Sequence, residues 1–132
     1  MKNAYKWLIA AGVAAAVPTL MLAPGTATRR EKAQFKGINY AHRGLHSRDK
    51  KVPENSLAAF SLAAEAGYGI ELDVQPSRDG QVVVFHDDTL NRVCGVEGRV
   101  DEYDYEQLKD MQLCGSEQTI PLFSQVLELV DG

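Results

Sequence analysis

Cysteine, tryptophan and proline are scarce in this chain: two, one and five among 132 residues. Cys94 and Cys114 form no Cys-x-x-Cys pair and have no His at zinc spacing, which excludes an ordinary structural zinc site. A disulfide between them would need an oxidising compartment, and two reduced thiols are the simpler reading. No internal repeat occurs, which excludes solenoids and arrays. Low-complexity sequence is confined to an Ala-rich N-terminal stretch. Basic residues are not interleaved with stacking aromatics, so no nucleic-acid surface is expected. The length leaves room for at most one ordinary domain.

What is present is globular in composition, with 45% apolar and 24% charged residues. The net charge of −4 hides a polarised layout. Residues 52–132 carry sixteen acids against four Arg or Lys, whereas residues 29–51 carry eight basic residues against Glu31 and Asp49.

Residues 7–28 contain no charge, with Lys2 and Lys6 before them and Arg29-Arg30 after. Such a run is long enough to cross a hydrocarbon core of about 30 Å, and predicts one N-terminal transmembrane helix acting as an anchor. Trp7 stands where an interfacial aromatic would. The competing reading is a cleaved signal peptide with Gly25-Thr26-Ala27 as its small-residue site. The Lys/Arg bias places the C-terminal part in the cytoplasm if the segment spans; a secreted or outward-facing domain is the alternative. Residues 29–36 then read as a basic linker, and residues 37–132 as the folded domain.

The domain begins with a short strand at Ile38 to Tyr40, broken by His42-Arg43-Gly44. A basic loop follows, then Pro53-Glu54-Asn55-Ser56 opens a helix. Asn55 is the expected N-cap, Leu57, Phe60 and Ala64 the buried face, and Gly67 the C′ residue. Two apolar runs come next, Ile70–Val74 and Val82–Phe85, joined by a turn containing Asp79-Gly80. Strand, helix, strand in this span predicts a parallel βαβ unit and an α/β fold. Asp104 and Gln107 predict a capped helix through Met111. Ser124 is the expected N-cap of a last helix burying Val126, Leu127 and Val130.

Chemistry concentrates at the strand ends. Glu71 and Asp73, two apart on a strand, share a face. His42 and Arg43 follow the first strand, and His86 and Asp87 the third apolar run. In parallel α/β architectures ligands gather at the carboxyl ends of strands. Carboxylate oxygens suit Mg²⁺ or Ca²⁺, a guanidinium forks onto phosphate, and two imidazoles serve as acid and base in turn. Taken singly, each group has a plainer role: a wet sheet face for the acids, a salt bridge for Arg43, a turn cap for Asp87. Together they suit metal-assisted phosphodiester cleavage.

His42-Arg43-Gly44, Pro53-Glu54-Asn55-Ser56, Glu71-Leu72-Asp73-Val74, Asp79-Gly80 and His86-Asp87 resemble, in order, the signature blocks of glycerophosphodiester phosphodiesterases. Leu90-Asn91-Arg92 and Ile120-Pro121-Leu122 are similar to later blocks. The resemblance covers roughly residues 37–131. It implies a (β/α)8 TIM barrel and hydrolysis of glycerophosphodiesters to glycerol 3-phosphate and an alcohol. It further implies His42 and His86 as the acid/base pair, Glu71 and Asp73 as ligands of a divalent cation (Ca²⁺ or Mg²⁺), and Arg43 on the substrate phosphate. The same resemblance implies that Glu54 and Asn55 support that pocket. The family's reaction uses a neighbouring substrate hydroxyl as nucleophile, with a cyclic phosphate that water then opens.

A barrel of this type takes about 250 residues. Residues 37–132 would supply only its first part. The expectation is therefore a truncated barrel, inactive alone, with an open sheet edge and an uncovered apolar face. A non-catalytic tethered fragment, a subunit completed by a second chain, and a related phospholipase-type phosphodiesterase with another head group are the alternatives.

Overall fold

The computed structural model describes residues 28–33 and 35–130. The chain divides into two units, Met1–Lys36 and Gly37–Gly132. In the first, the basic linker carries a short helix, α1 (Arg29–Ala33). Thr28 caps it: its hydroxyl accepts from Glu31 N at 3.3 Å, and Glu31 Oε2 accepts from Thr28 N at 2.6 Å. The expected membrane span lies outside the described residues except for Thr28. Among the described residues no helix is long and apolar enough to cross a membrane.

The second unit opens with β1 (Tyr40–His42), α2 (Leu57–Glu65) and β2 (Gly69–Glu71). β1 and β2 pair in parallel, with Tyr40, Ala41 and His42 opposite Gly69, Ile70 and Glu71. The predicted βαβ unit is present, with β1 beginning two residues later than expected. Ser56, not Asn55, caps α2: its hydroxyl accepts from Ala59 N at 3.2 Å and donates to the Pro53 carbonyl at 2.7 Å. Asn55 is held in the left-handed region at φ 55° and sends its side chain elsewhere. The buried face of α2 is Ala59, Phe60 and Ala63; Ala64, expected inside, is exposed. The helix ends in a Schellman motif, where Gly67 N donates to Ala64 O and Tyr68 N to Ala63 O, both at 2.9 Å. Gly67 has the positive φ, 71°, that this ending requires.

The run Ile70–Val74 is not one strand. It breaks at Leu72-Asp73 into β2 and β3 (Val74–Pro76), and β3 pairs antiparallel with β4 (Val82–Val84). The physical reason is a change of partner: Glu71 belongs to a parallel ladder and Val74 to a hairpin, so the chain must turn between them. The hairpin closes where Ser77 N donates to Gln81 O, with Gly80 at φ 79°.

Strand alternation on β4 divides the core. Val83 enters a cluster with Phe85, Leu90, Val93, Val100, Leu108, Leu113 and Ile120. Val84 enters a second with Phe60 and Val126. The first is built on short elements: α3 (Asn91–Cys94), a 3-10 turn at Val100–Glu102, and α4 (Tyr105–Leu108). Asp104 caps α4, and Gln107 Oε1 accepts from Asp104 N at 3.2 Å, but the helix stops at Leu108 rather than Met111. The thiols of Cys94 and Cys114 are free and half-buried, and burial pushes Cys94 up to about 11.

The last helix, α5 (Phe123–Val130), packs against α2. It begins one residue before Ser124, so that residue is not its cap; Gln125 Oε1 instead accepts from Leu122 N at 2.9 Å. Only Val126 of its expected stripe is buried, while Leu127 is 48% and Val130 44% exposed. These two, with Tyr68, Ile70, Leu72 and Phe123, line an open apolar groove of about 370 Å³.

Candidate active site

Every residue singled out from the sequence enters a set of polar contacts, most of them in one connected network. His42 and Glu71 are register partners at the carboxyl ends of β1 and β2, with His42 Nε2 3.8 Å from Glu71 Oε2. Arg43, at φ 57°, turns its backbone so that its amide faces Glu71: N donates to the carbonyl at 2.9 Å and lies 3.2 Å from Oε2. Its guanidinium reaches Glu54 through Nη1 at 2.7 Å and approaches Asp73 Oδ2 through Nε at 3.4 Å. Asn55 Nδ2 donates to the same Asp73 oxygen at 3.2 Å. Thus Arg43 touches both strand-end acids, although they no longer share one strand.

His86 follows β4. Its Nδ1 meets Asp87 Oδ1 at 2.6 Å. Asp87 is acidic enough to stay ionised, because the Arg92 guanidinium, more than the neighbouring imidazole, holds it down at about 2 against the cost of burial. An ionised carboxylate only accepts, so Nδ1 carries the ring proton and Nε2 is left as the free nitrogen of neutral His86. Gln75 fixes the backbone on either side: its Nε2 donates to the Phe85 and Asp87 carbonyls, each at 2.9 Å.

Three of these residues make contacts that the sequence did not announce. Asp87 is read there as a possible turn cap, Arg92 only as part of a similar block, and Gln75 not at all. Arg92 binds Asp87 at 2.6 and 3.0 Å and Glu54 at 2.7 and 3.4 Å. Glu54 is likewise held at about 2, first by Arg92 and, after the opposing cost of burial, by Arg43. The available signal was that Arg92 is the lone base between Arg78 and Arg99 in an acid-rich stretch.

Two buried polar atoms in this pocket have no hydrogen-bond partner: Arg43 Nε, a donor, and Asn55 Oδ1, an acceptor. Asn55 is 2% exposed. Buried groups of this kind are rarely left unsatisfied, so both fit a polar ligand at Asp73. Glu71, Asp73 and the Asn55 carbonyl are hard oxygens of the type Mg²⁺ and Ca²⁺ prefer. They fit such a cation in kind, though among the described residues no three His, Cys, Asp or Glu side chains converge as a metal cluster.

Residues 42–132 match the sequence profile of the Glycerophosphoryl diester phosphodiesterase family. The chain belongs to that family. A glycerophosphodiester phosphodiesterase of Bacillus altitudinis is 45% identical over 98 residues, covering 69% of this chain and 39% of the relative. One from Caldanaerobacter subterraneus subsp. tengcongensis is 41% identical over 105 residues, covering 73% and 41%. Among solved structures, an Oleispira antarctica phosphodiesterase in complex with the product sn-glycerol-3-phosphate superposes at a TM-score of 0.62 and 31% identity, over 75% of this chain and 42% of that one. The Thermotoga maritima glycerophosphodiester phosphodiesterase superposes at 0.60 and 37%, over 70% and 39%. The chain thus spans about two fifths of these relatives' length and carries part of a TIM-barrel fold.

Proposed function

We propose that this chain carries the phosphate-handling end of a glycerophosphodiester phosphodiesterase, which cleaves glycerophosphodiesters to glycerol 3-phosphate and an alcohol. The observation that carries this reading is the pair of unsatisfied buried atoms, Arg43 Nε and Asn55 Oδ1, set beside Asp73. Arg43 donates to a phosphate oxygen. His42 and His86 exchange protons with the attacking and leaving oxygens, His86 through the Nε2 that Asp87 leaves free. Glu71 and Asp73 hold a divalent cation, Ca²⁺ or Mg²⁺, which when bound offsets the charge of the phosphate oxygens.

The chain alone is expected to turn over poorly, because it spans only about two fifths of the length of the relatives it matches. The uncharged run 7–28 supports a membrane anchor with the site on the cytoplasmic side.

The test is hydrolysis of glycerophosphocholine with Ca²⁺ or Mg²⁺ present, by this chain and by a version extended with the rest of a relative's barrel. Turnover is expected in the extended protein and lost on chelation. Turnover that survives His42→Ala and His86→Ala together would overturn the acid/base assignment.

A further inference from the structure

We propose that Arg92 is a positioning residue that locks the free nitrogen of His86 and the fork of Arg43 into one rigid unit. The inference rests on the proposed roles of His86 and Arg43, and concerns how they are held. Arg92 stands on the first turn of α3 and, among the described residues, makes no hydrogen bond or ion pair with either of them. It bonds instead to all four oxygens of two carboxylates, Oδ1 and Oδ2 of Asp87 and Oε1 and Oε2 of Glu54. Each acid spends a shared oxygen on a site residue: Asp87 Oδ1 accepts from His86 Nδ1 at 2.6 Å, and Glu54 Oε1 from Arg43 Nη1 at 2.7 Å.

The result is an unbroken chain of charge-assisted bonds, His86–Asp87–Arg92–Glu54–Arg43, that crosses three separate stretches of sequence. Glu54 and Asp87 are each about a fifth exposed, so their carboxylates are partly shielded from water that would otherwise compete. Without Arg92 the two ionised acids would face one another with only Arg43 and the imidazole to balance them. Asp87 would then be free to rotate away from Nδ1, and the ring to exchange tautomers. A lysine cannot substitute fully, because a point charge does not span two forks.

The experiment reads the ring directly and needs no turnover. Nitrogen-15 NMR of this chain, in its neutral-imidazole range, should show His86 as a single tautomer with Nδ1 protonated and that proton slow to exchange. Arg92→Gln should give a tautomer mixture, and Nδ1–H exchange about tenfold faster or more, as expected for losing one charge-assisted bond. Arg92→Lys should fall between the two. Arg99→Gln, on a surface pair with Asp101, should leave the signal unchanged. If Arg92→Gln does not fold, Glu54→Gln loosens the same guanidinium from the other side and should raise the exchange rate in the same sense. A His86 tautomer and exchange rate that match the unsubstituted chain in the folded variants would overturn the proposal. Loss of the signature with wild-type turnover in the extended protein would instead overturn the role given to His86.

Discussion

Acid should weaken this domain through Glu54 and Asp87, and removing Arg92 should erase most of that weakness. Both carboxyls sit at about 2 in the folded chain, below ordinary values of 4.5 and 3.8, with Arg92 the largest cause in each case. The unfolded chain therefore binds more protons between about pH 5 and pH 2, and stability rises with pH across that window. The contribution is fully present above the ordinary carboxyl range and is lost as pH falls towards about 2. Taken at about 1.4 kcal/mol per pK unit, the two gaps amount to about 6 kcal/mol. That figure counts one guanidinium twice, and it ignores water at two acids that are each about a fifth exposed. Sharing and screening bring it to about 2–3 kcal/mol. The assay is urea unfolding followed by circular dichroism, at steps from about pH 7 to about pH 2.5, on the chain and on Arg92→Gln. The variant should be less stable at neutral pH by about that amount, with the difference closing on acidification. Other lowered carboxyls, such as Asp79 and Asp104, titrate in both proteins and cancel. A difference that stays constant across the window would refute the reasoning.

Two glycines should separate sharply. A Cβ on Gly44 would lie 2.8 Å from Ala59 Cβ and 2.9 Å from Ala59 C, at φ 80°, so Gly44→Ala should cost more than about 2 kcal/mol in a denaturant melt. A Cβ on Gly69 meets no backbone, only the half-exposed side chains of Tyr40 and, at 3.2 Å, Ile38, which can swing aside, so Gly69→Ala should cost less than about 1 kcal/mol; the reverse order would contradict the packing. Ser56→Ala should lose about 1–2 kcal/mol, read as a shifted urea midpoint, since the hydroxyl caps α2 while fully buried. Leu127→Glu should leave stability within about 0.5 kcal/mol and reduce self-association in sedimentation, because Leu127 lines the groove without filling a core.

What could be read from the sequence were the features fixed by neighbours along the chain. Gly67 at a helix end, Asp79-Gly80 between apolar runs, and the strand–helix–strand spacing each have a local physical cause, and each appears. The break at Leu72-Asp73 was hidden, because Ile70, Leu72 and Val74 keep an unbroken alternation across it. Only the switch from a parallel to an antiparallel partner splits the run. Asn55 and Ser56 are equally good caps on paper, and what separates them is the contact of Asn55 with Asp73, eighteen residues away. Arg92 stands out only as a lone base in an acid-rich stretch, and its bond to Glu54, thirty-eight residues distant, was hidden for the same reason.

The parallel register explains how so short a stretch of barrel can hold its site together. His42 and Glu71 are opposite one another at the last rung of β1 and β2, so backbone pairing alone brings an imidazole beside a carboxylate. One residue back, Ile70 points the other way and lines the apolar groove. Alternation thus assigns the polar end and the open flank to different residues of one strand. Whatever polypeptide covers the groove packs on Ile70, Leu72, Leu127 and Val130, and need not move Glu71, Arg43 or the Arg92 bridge.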